Sequence, residues 1–142
     1  MELELEGKPV LQHVINAFLP LCTHVIVVGG YQIESAEVTG SRFFLTPGDY
    51  PLLTLNTCRR LLEYGEQIVK PVCRGRGGHP ILLPSRCIKE ILMEEDGSSL
   101  RNYLDKQRVI QFITEDEGTL YDIDTLTDYE KVRELMRINY QQ

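Results

Sequence analysis

The chain has 142 residues, of which 42% are hydrophobic and 25% charged, which is typical of one soluble domain able to bury a core. Its formal net charge of -6 argues against a protein that holds nucleic acid or an anionic membrane through bulk positive charge. Every apolar run is far shorter than the roughly 20 residues of a membrane-spanning helix, and the acidic start lacks the basic end of a signal peptide. We expect one cytoplasmic domain over residues 1–142.

The four cysteines, Cys22, Cys58, Cys73 and Cys87, are widely spaced. They form neither a Cys-x-x-Cys pair nor the dense disulfide framework of a small secreted protein. We therefore expect reduced, mostly buried thiols rather than disulfides or a zinc site.

The first predicted elements are a helix and a strand. Apolar residues at helical spacing predict an amphipathic helix over 10–21, and Pro9 suits its first turn. The β-branched run 24–28, closed by Gly29-Gly30, predicts a strand buried on both faces.

A second strand is predicted over 42–45, and it leads into a segment that cannot continue as helix or central strand. Two prolines and a glycine in 46–51 require a loop there. Thr54 can then cap a helix that Gly65 ends. The order is again strand, loop, helix.

Two further strands, over 68–73 and 80–83, are predicted on either side of the turn-rich segment 74–79. They could pair as a hairpin. Ser85 next caps a helix that stops near Gly97.

The last third of the chain predicts a short helix, a strand and a terminal helix. Ser98 or Ser99 opens the short helix, and apolar and polar residues alternate over 109–113 as in a half-buried strand. Residues 127–130 read as a capping box for the terminal helix. The alternation of strands and helices predicts an α/β fold with a mostly parallel sheet, which binds ligands beyond the carboxyl ends of its strands.

Asp49 lies just past a predicted strand, in a loop with Gly48 and Pro51. A carboxylate there can face the ligand crevice, and the glycine lets a phosphate approach the backbone. One carboxylate, phosphate oxygens and waters can complete the octahedral shell of Mg²⁺. The alternative is a simple turn, since Gly, Asp and Pro dominate turns.

Asp122 and Asp124 form a second acidic cluster and point to the same side if the segment is extended. They could complete a metal site with Asp49. Alternatively, Asp124, Thr125 or Asp128 supplies negative charge near the start of the last helix, worth about 0.3–1 kcal/mol.

The segment 74–79 concentrates two guanidinium groups, of Arg74 and Arg76, and three glycines in an otherwise acidic chain. This composition suits binding of phosphate or another anion. The alternative is a solvated hairpin turn in which His79 hydrogen-bonds to the backbone.

Five segments in chain order resemble the MobA-like nucleotidyltransferase family, and most closely its molybdenum cofactor cytidylyltransferase branch. They are Gly-Lys-Pro at 7–9, the strand at 25–30, Gly-Asp-x-Pro at 48–51, Gly-His-Pro at 78–80 and Asp-Ile-Asp-Thr-x-x-Asp-Tyr at 122–129. Each motif is short, but the ordered set is specific.

The resemblance implies a Rossmann-like three-layer sandwich of the nucleotide-diphospho-sugar-transferase type. It implies that Asp49 binds a catalytic Mg²⁺ with Asp124 or else Asp122 nearby, and that Gly78 and His79 lie toward the acceptor. The implied reaction transfers CMP from CTP to the molybdopterin cofactor and releases pyrophosphate.

The sequence departs from the family pattern in two places. The glycine-rich loop Leu-Ala-Ala-Gly-x-Ser-x-Arg-Met-Gly, which cradles the nucleotide's phosphates in the family, is absent from this sequence. An internal helix, strand and loop are also absent near 36–39. We therefore expect this sequence to be part of a longer polypeptide.

These departures keep two other functions open. One is nucleotidyl transfer to a different phosphorylated acceptor, such as a sugar phosphate. The other is a catalytically silent homologue that binds nucleotide or cofactor and passes the cofactor to a molybdenum enzyme.

Overall fold

A computed structural model describes residues 3–27, 40–95 and 97–140 of the chain. The strands are Glu4–Leu5 (β1), Lys8–Pro9 (β2), Arg42–Leu45 (β3), Ile68–Cys73 (β4), Arg76–Gly77 (β5), Ile81–Pro84 (β6) and Val109–Ile113 (β7). The α-helices are Val10–Phe18 (α1), Leu55–Leu61 (α2), Arg86–Leu92 (α3), Leu100–Asp105 (α4) and Leu126–Tyr140 (α5). Two 3₁₀ turns, Leu62–Tyr64 and Glu117–Thr119, complete the set.

The central sheet runs in the order β3, β6, β4, β5, and β7 lies beside β4. β4 and β7 are parallel, with Val69 opposite Ile110. The β3–β6, β4–β6 and β4–β5 pairings are antiparallel. The predicted α/β fold is confirmed. The parallel component is the β4–β7 pair, so the described sheet is mixed.

Helices cover both faces of this sheet because successive residues of a strand point to opposite sides. Val69 of β4 packs with Leu61 of α2, and the adjacent Ile68 packs with Cys87 of α3 and Tyr103 of α4. The result is the expected three-layer sandwich. In the described ranges, every helix is too short or too polar to cross a membrane.

One predicted strand is wrong over its described part. Residues 24–27 are not in a strand, and Ile26 and Val27 are 49% and 57% exposed. Among the described strands none pairs with this run, so its β-branched residues have no hydrogen-bonded ladder to join. The rest of that prediction, 28–30, and the internal shortfall near 36–39 lie outside the described residues.

The helix caps follow the sequence at two of three serine or threonine positions. Thr54 and Ser99 each accept a hydrogen bond from the backbone N–H three residues later, at 3.2 and 3.1 Å. Ser85 precedes α3 but caps nothing with its side chain. Its hydroxyl instead donates to the carbonyl of Gly40, beside β3, which ties α3 to the edge of the sheet.

The last helix has a capping box, two residues earlier than predicted. The backbone N–H of Asp128 donates to Thr125 Oγ1 at 3.1 Å, and Asp128 Oδ2 accepts from the Thr125 N–H at 3.1 Å. The prediction at 127–130 is wrong because Asp128, rather than a glutamate, completes the reciprocal pair.

Candidate active site

Three carboxylates converge where β3 ends. Ligand oxygens of Asp49, Asp122 and Asp124 all lie within 4.8 Å of one another. Asp49 lies in the loop after β3, and the other two lie in the segment before α5. Asp49 and Asp122 are half-buried and Asp124 is exposed. The structure thus brings together the two acidic motifs that the sequence singled out.

A backbone hydrogen bond explains why these segments meet. The N–H of Ile123 donates to the carbonyl of Asp49 at 3.0 Å, so the residues on either side of Ile123 lie against the loop. Thr125 and Asp128, not Asp122 or Asp124, provide the side-chain cap of α5. The two interpretations of the late acidic segment therefore apply to different residues.

The site is electrostatically unfavourable without a counter-charge. Burial raises the pKa of Asp49, its own backbone N–H opposes that rise, and the charge of Asp122 adds to it. A hydrogen bond and charge repulsion from Asp122 raise the pKa of Asp124. Asp49 Oδ1 is buried and has no hydrogen-bond partner among the described residues. Three clustered carboxylates, one with an unsatisfied oxygen, fit a hard divalent cation.

His79 lies beside this cluster, against Tyr50. The two ring centroids are 4.7 Å apart with the planes inclined at 58°. The backbone N–H of His79 donates to the carbonyl of Thr119 at 3.0 Å, while its buried Nδ1 has no hydrogen-bond partner within the described ranges. Burial lowers the pKa of His79, against the opposing effect of Asp49. The lowered pKa favours the neutral ring, and its Nδ1 is buried without a partner among the described residues.

Gly78 is a glycine because another backbone occupies the place of a side chain. A Cβ at this position would lie 2.3 Å from the Thr119 carbonyl oxygen. Of the other two candidate loop residues, Gly48 is exposed and Pro51 is buried.

The arginine segment divides into two parts. Arg74 and Gly75, with φ of 54° and 75°, form the tight turn between β4 and β5. Arg74 pairs with Glu117, so the hairpin interpretation describes this part. Arg76 is exposed in β5. Its binding of an anion stays a prediction.

The comparison with known families agrees with this arrangement. A profile of the MobA-like NTP transferase domain matches residues 33–111, more than half of the chain. The chain belongs to the MobA-like NTP transferase family.

Individual relatives of this MobA-like protein are distant. The molybdenum cofactor cytidylyltransferase of Escherichia coli (strain K12) is 28% identical over 92 residues, which are 64% of this chain and 48% of that protein. The chain thus spans about half the length of this curated relative.

Solved structures show the fold. Rv0371c from Mycobacterium tuberculosis H37Rv gives a TM-score of 0.73 at 18% identity and covers 94% of this chain and 87% of that one. A complex of Rv0371C with manganese gives 0.73 at 16% identity, with coverages of 94% and 90%.

Sequence reasoning missed two parts of this candidate site. Tyr50 fills the variable position of the Gly-Asp-x-Pro motif, and its contact with His79 joins segments far apart in the chain. The second part is the turn Glu117–Thr119, in which the Thr119 carbonyl accepts a hydrogen bond from the His79 backbone N–H. Its only local signal is an aspartate, Asp116, two residues before Gly118, a pattern typical of Asx turns.

All four cysteines are free, and Cys58, Cys73 and Cys87 are buried, as the sequence predicts. Burial raises the pKa of Cys58 to about 12, so this thiol is protonated and unreactive at pH 8. We expect iodoacetamide at pH 8 to modify the half-buried Cys22 first, and Cys58 only after unfolding in urea. Peptide mass spectrometry measures both, and equal labelling of Cys22 and Cys58 in the folded protein would contradict the structure.

Proposed function

We propose that this protein is a Mg²⁺-dependent nucleotidyltransferase that transfers CMP from CTP to the molybdopterin cofactor. The observation that carries the proposal is the cluster of Asp49, in the loop beyond β3, with Asp122 and Asp124, in the segment before α5. The name of the E. coli relative supports the choice of nucleotide and acceptor. Family membership supports a nucleoside triphosphate as the donor.

Magnesium is the proposed cation because the cluster offers only carboxylate oxygens, which hard cations prefer. The manganese complex of Rv0371C, a protein of the same fold, supports a divalent cation here. When bound, Mg²⁺ would offset the negative charge that develops on the phosphates. Asp49 and Asp124 would be its principal ligands, and Asp122 would be the third.

The reaction needs no protein nucleophile. An oxygen of the acceptor's phosphate attacks the α-phosphorus, the bond from that phosphorus to the bridging oxygen breaks, and pyrophosphate leaves. The residues of this chain contribute by positioning and charge. Gly48 is exposed, so a phosphate can approach its backbone, and Pro51 is buried in the same loop. His79, whose ring packs on Tyr50 in the loop of Asp49, would lie toward the acceptor.

Arg74 and Arg76 are the proposed contacts to the acceptor's anionic groups. Both are exposed on the β4–β5 hairpin, next to Gly78 and His79. Arg76 is the better placed of the two, since Arg74 already pairs with Glu117. An arginine fork can hold two phosphate oxygens at once.

The test supplies the protein with Mg²⁺, each of the four nucleoside triphosphates in turn, and molybdopterin or a sugar phosphate, and measures pyrophosphate. We expect release with molybdopterin, fastest with CTP. Release with the sugar phosphate alone would replace the acceptor in the proposal. Binding of Mg²⁺-CTP without any pyrophosphate release would overturn catalysis and favour an accessory protein that delivers cofactor to a molybdenum enzyme.

A further inference from the structure

The turn Glu117–Thr119 contacts the segments that carry the candidate site. Its Thr119 carbonyl accepts the His79 N–H at 3.0 Å. On its other side, the backbone of Gly118 packs so closely on Leu52 that a Cβ there would lie 2.3 Å from the Leu52 carbonyl oxygen. The chain then continues directly into Asp122 and Asp124. The position of this turn therefore sets the positions of its neighbours.

The side chain of Asp116 holds this turn to the start of α2. Asp116 Oδ1 accepts from the Gly118 N–H at 3.0 Å. Asp116 Oδ2 accepts from the hydroxyls of Thr57 at 2.6 Å and Thr54 at 3.1 Å. Thr57 is only 5% exposed, so its hydroxyl lies where water cannot readily replace the carboxylate.

These contacts fix the Asp49 loop at both ends. At one end the Asp49 carbonyl accepts from the Ile123 N–H. At the other end Thr54, the N-cap of α2, bonds to Asp116. Asp49 lies in this loop, and Asp122 and Asp124 follow the turn in the chain. A shift of the turn against α2 therefore changes the spacing of the three carboxylates.

We propose that Asp116 is a positioning residue, which sets the spacing of Asp49, Asp122 and Asp124 through Thr57 and the turn Glu117–Thr119. The inference rests on the proposed function in one respect, that the three carboxylates bind a divalent cation. Asp116 itself acts on the cation site from outside it, because its two carboxylate oxygens are already occupied by three donors.

Thr57→Val is the decisive variant because it removes the hydroxyl, keeps the side-chain shape and changes no charge. A change at Asp116 itself would also alter the field at the cation site and confuse the result. Mn²⁺ is titrated by electron paramagnetic resonance, without nucleotide. We expect Thr57→Val to weaken Mn²⁺ binding about tenfold, and Thr57→Ser, which keeps the hydroxyl, to restore near wild-type binding.

Ser99→Ala controls for lost stability, since it removes a helix cap on α4, away from the site. It should lower the unfolding midpoint without changing Mn²⁺ binding. Equal Mn²⁺ affinity of wild type and Thr57→Val would overturn the inference, as would an equal loss in Ser99→Ala.

A second readout needs no cation. Amide hydrogen exchange of His79 and Ile123 should accelerate in Thr57→Val and stay unchanged in Ser99→Ala; unchanged exchange in both would overturn the inference. Failure of the proposed reaction gives a different pattern, in which wild type binds Mn²⁺ and these variants differ as expected but no pyrophosphate is released. A wild type that binds no Mn²⁺ overturns the cation site and the inference together.

Discussion

Asp49→Asn is expected to lower nucleotidyl transfer by at least about 10²–10³-fold, the scale for losing one preorganised electrostatic group at a reacting centre. Asp49 supplies the buried, unpartnered oxygen of the carboxylate cluster. Asparagine keeps the shape of the side chain but removes the charge that would hold a cation. Pyrophosphate release from CTP, measured over a range of Mg²⁺ concentrations, gives the size of the loss.

The same variant should be at least as stable as wild type when no cation is present. The pKa of Asp49 is raised above its ordinary value of 3.8, so its contribution to stability is present at lower pH and is lost as pH rises through the folded-state value. At pH 7 the ionised group therefore destabilises the cation-free protein. Thermal unfolding in EDTA should show Asp49→Asn unfolding at the same temperature as wild type or a few degrees higher, by roughly 2–4 °C per kcal/mol.

Addition of a divalent cation should distinguish wild type from Asp49→Asn. Mg²⁺ or Mn²⁺ should raise the unfolding midpoint of wild type, because a ligand that binds only the folded state stabilises it, and should leave Asp49→Asn unchanged. Asp105→Asn is the matched control, since it removes one exposed carboxylate at the end of α4. It should keep both the activity and the cation shift. Near-normal transfer by Asp49→Asn would refute the role assigned to this residue.

Sequence patterns predict the elements of this fold where the signal is local. Alternation over 109–113 and the apolar run 68–73 give β7 and β4 with the bounds observed. The caps at Thr54 and Ser99 are set by one hydroxyl and an N–H three residues away. The run 24–27 carries the same strand signal, but a strand also needs a neighbour to pair with. Whether such a neighbour is present depends on contacts between distant parts of the chain, and β-branched residues alone do not encode those contacts.

The candidate site likewise has residues that a local sequence pattern predicts and contacts that no local pattern predicts. Asp49, Asp122 and Asp124 stand out because each lies in a short motif, and family resemblance joins the motifs. The contacts that hold the site together leave little trace in the sequence. Asp116 accepts hydrogen bonds from two hydroxyls that lie 59 and 62 residues earlier in the chain. Gly77 and Gly78 look alike in the sequence, but a Cβ would meet the Thr119 backbone at Gly78 and the Lys70 side chain at Gly77.

Gly78→Ala is the second change with a large expected effect. Its Cβ would lie 2.3 Å from the carbonyl oxygen and 2.9 Å from the carbonyl carbon of Thr119, closer than real Cβ contacts allow. Gly78 cannot retreat easily, because its N–H donates to the Pro71 carbonyl at 2.9 Å on the central strand. Overpacking of this kind costs about 1–3 kcal/mol, and occasionally more. The backbone must move, and the adjacent His79 moves with it.

Gly77→Ala provides the matched comparison, since the same methyl group is added one residue away. There the Cβ would meet only the end of the flexible Lys70 side chain, with Nζ at 3.3 Å, which can rotate aside. Urea unfolding should show a lower midpoint for Gly78→Ala than for Gly77→Ala, and transfer activity at low temperature should fall only in Gly78→Ala. If the two alanine variants unfold at the same urea concentration, the close approach of Thr119 to Gly78 is not rigid. The turn Glu117–Thr119 then cannot be what holds His79 in place.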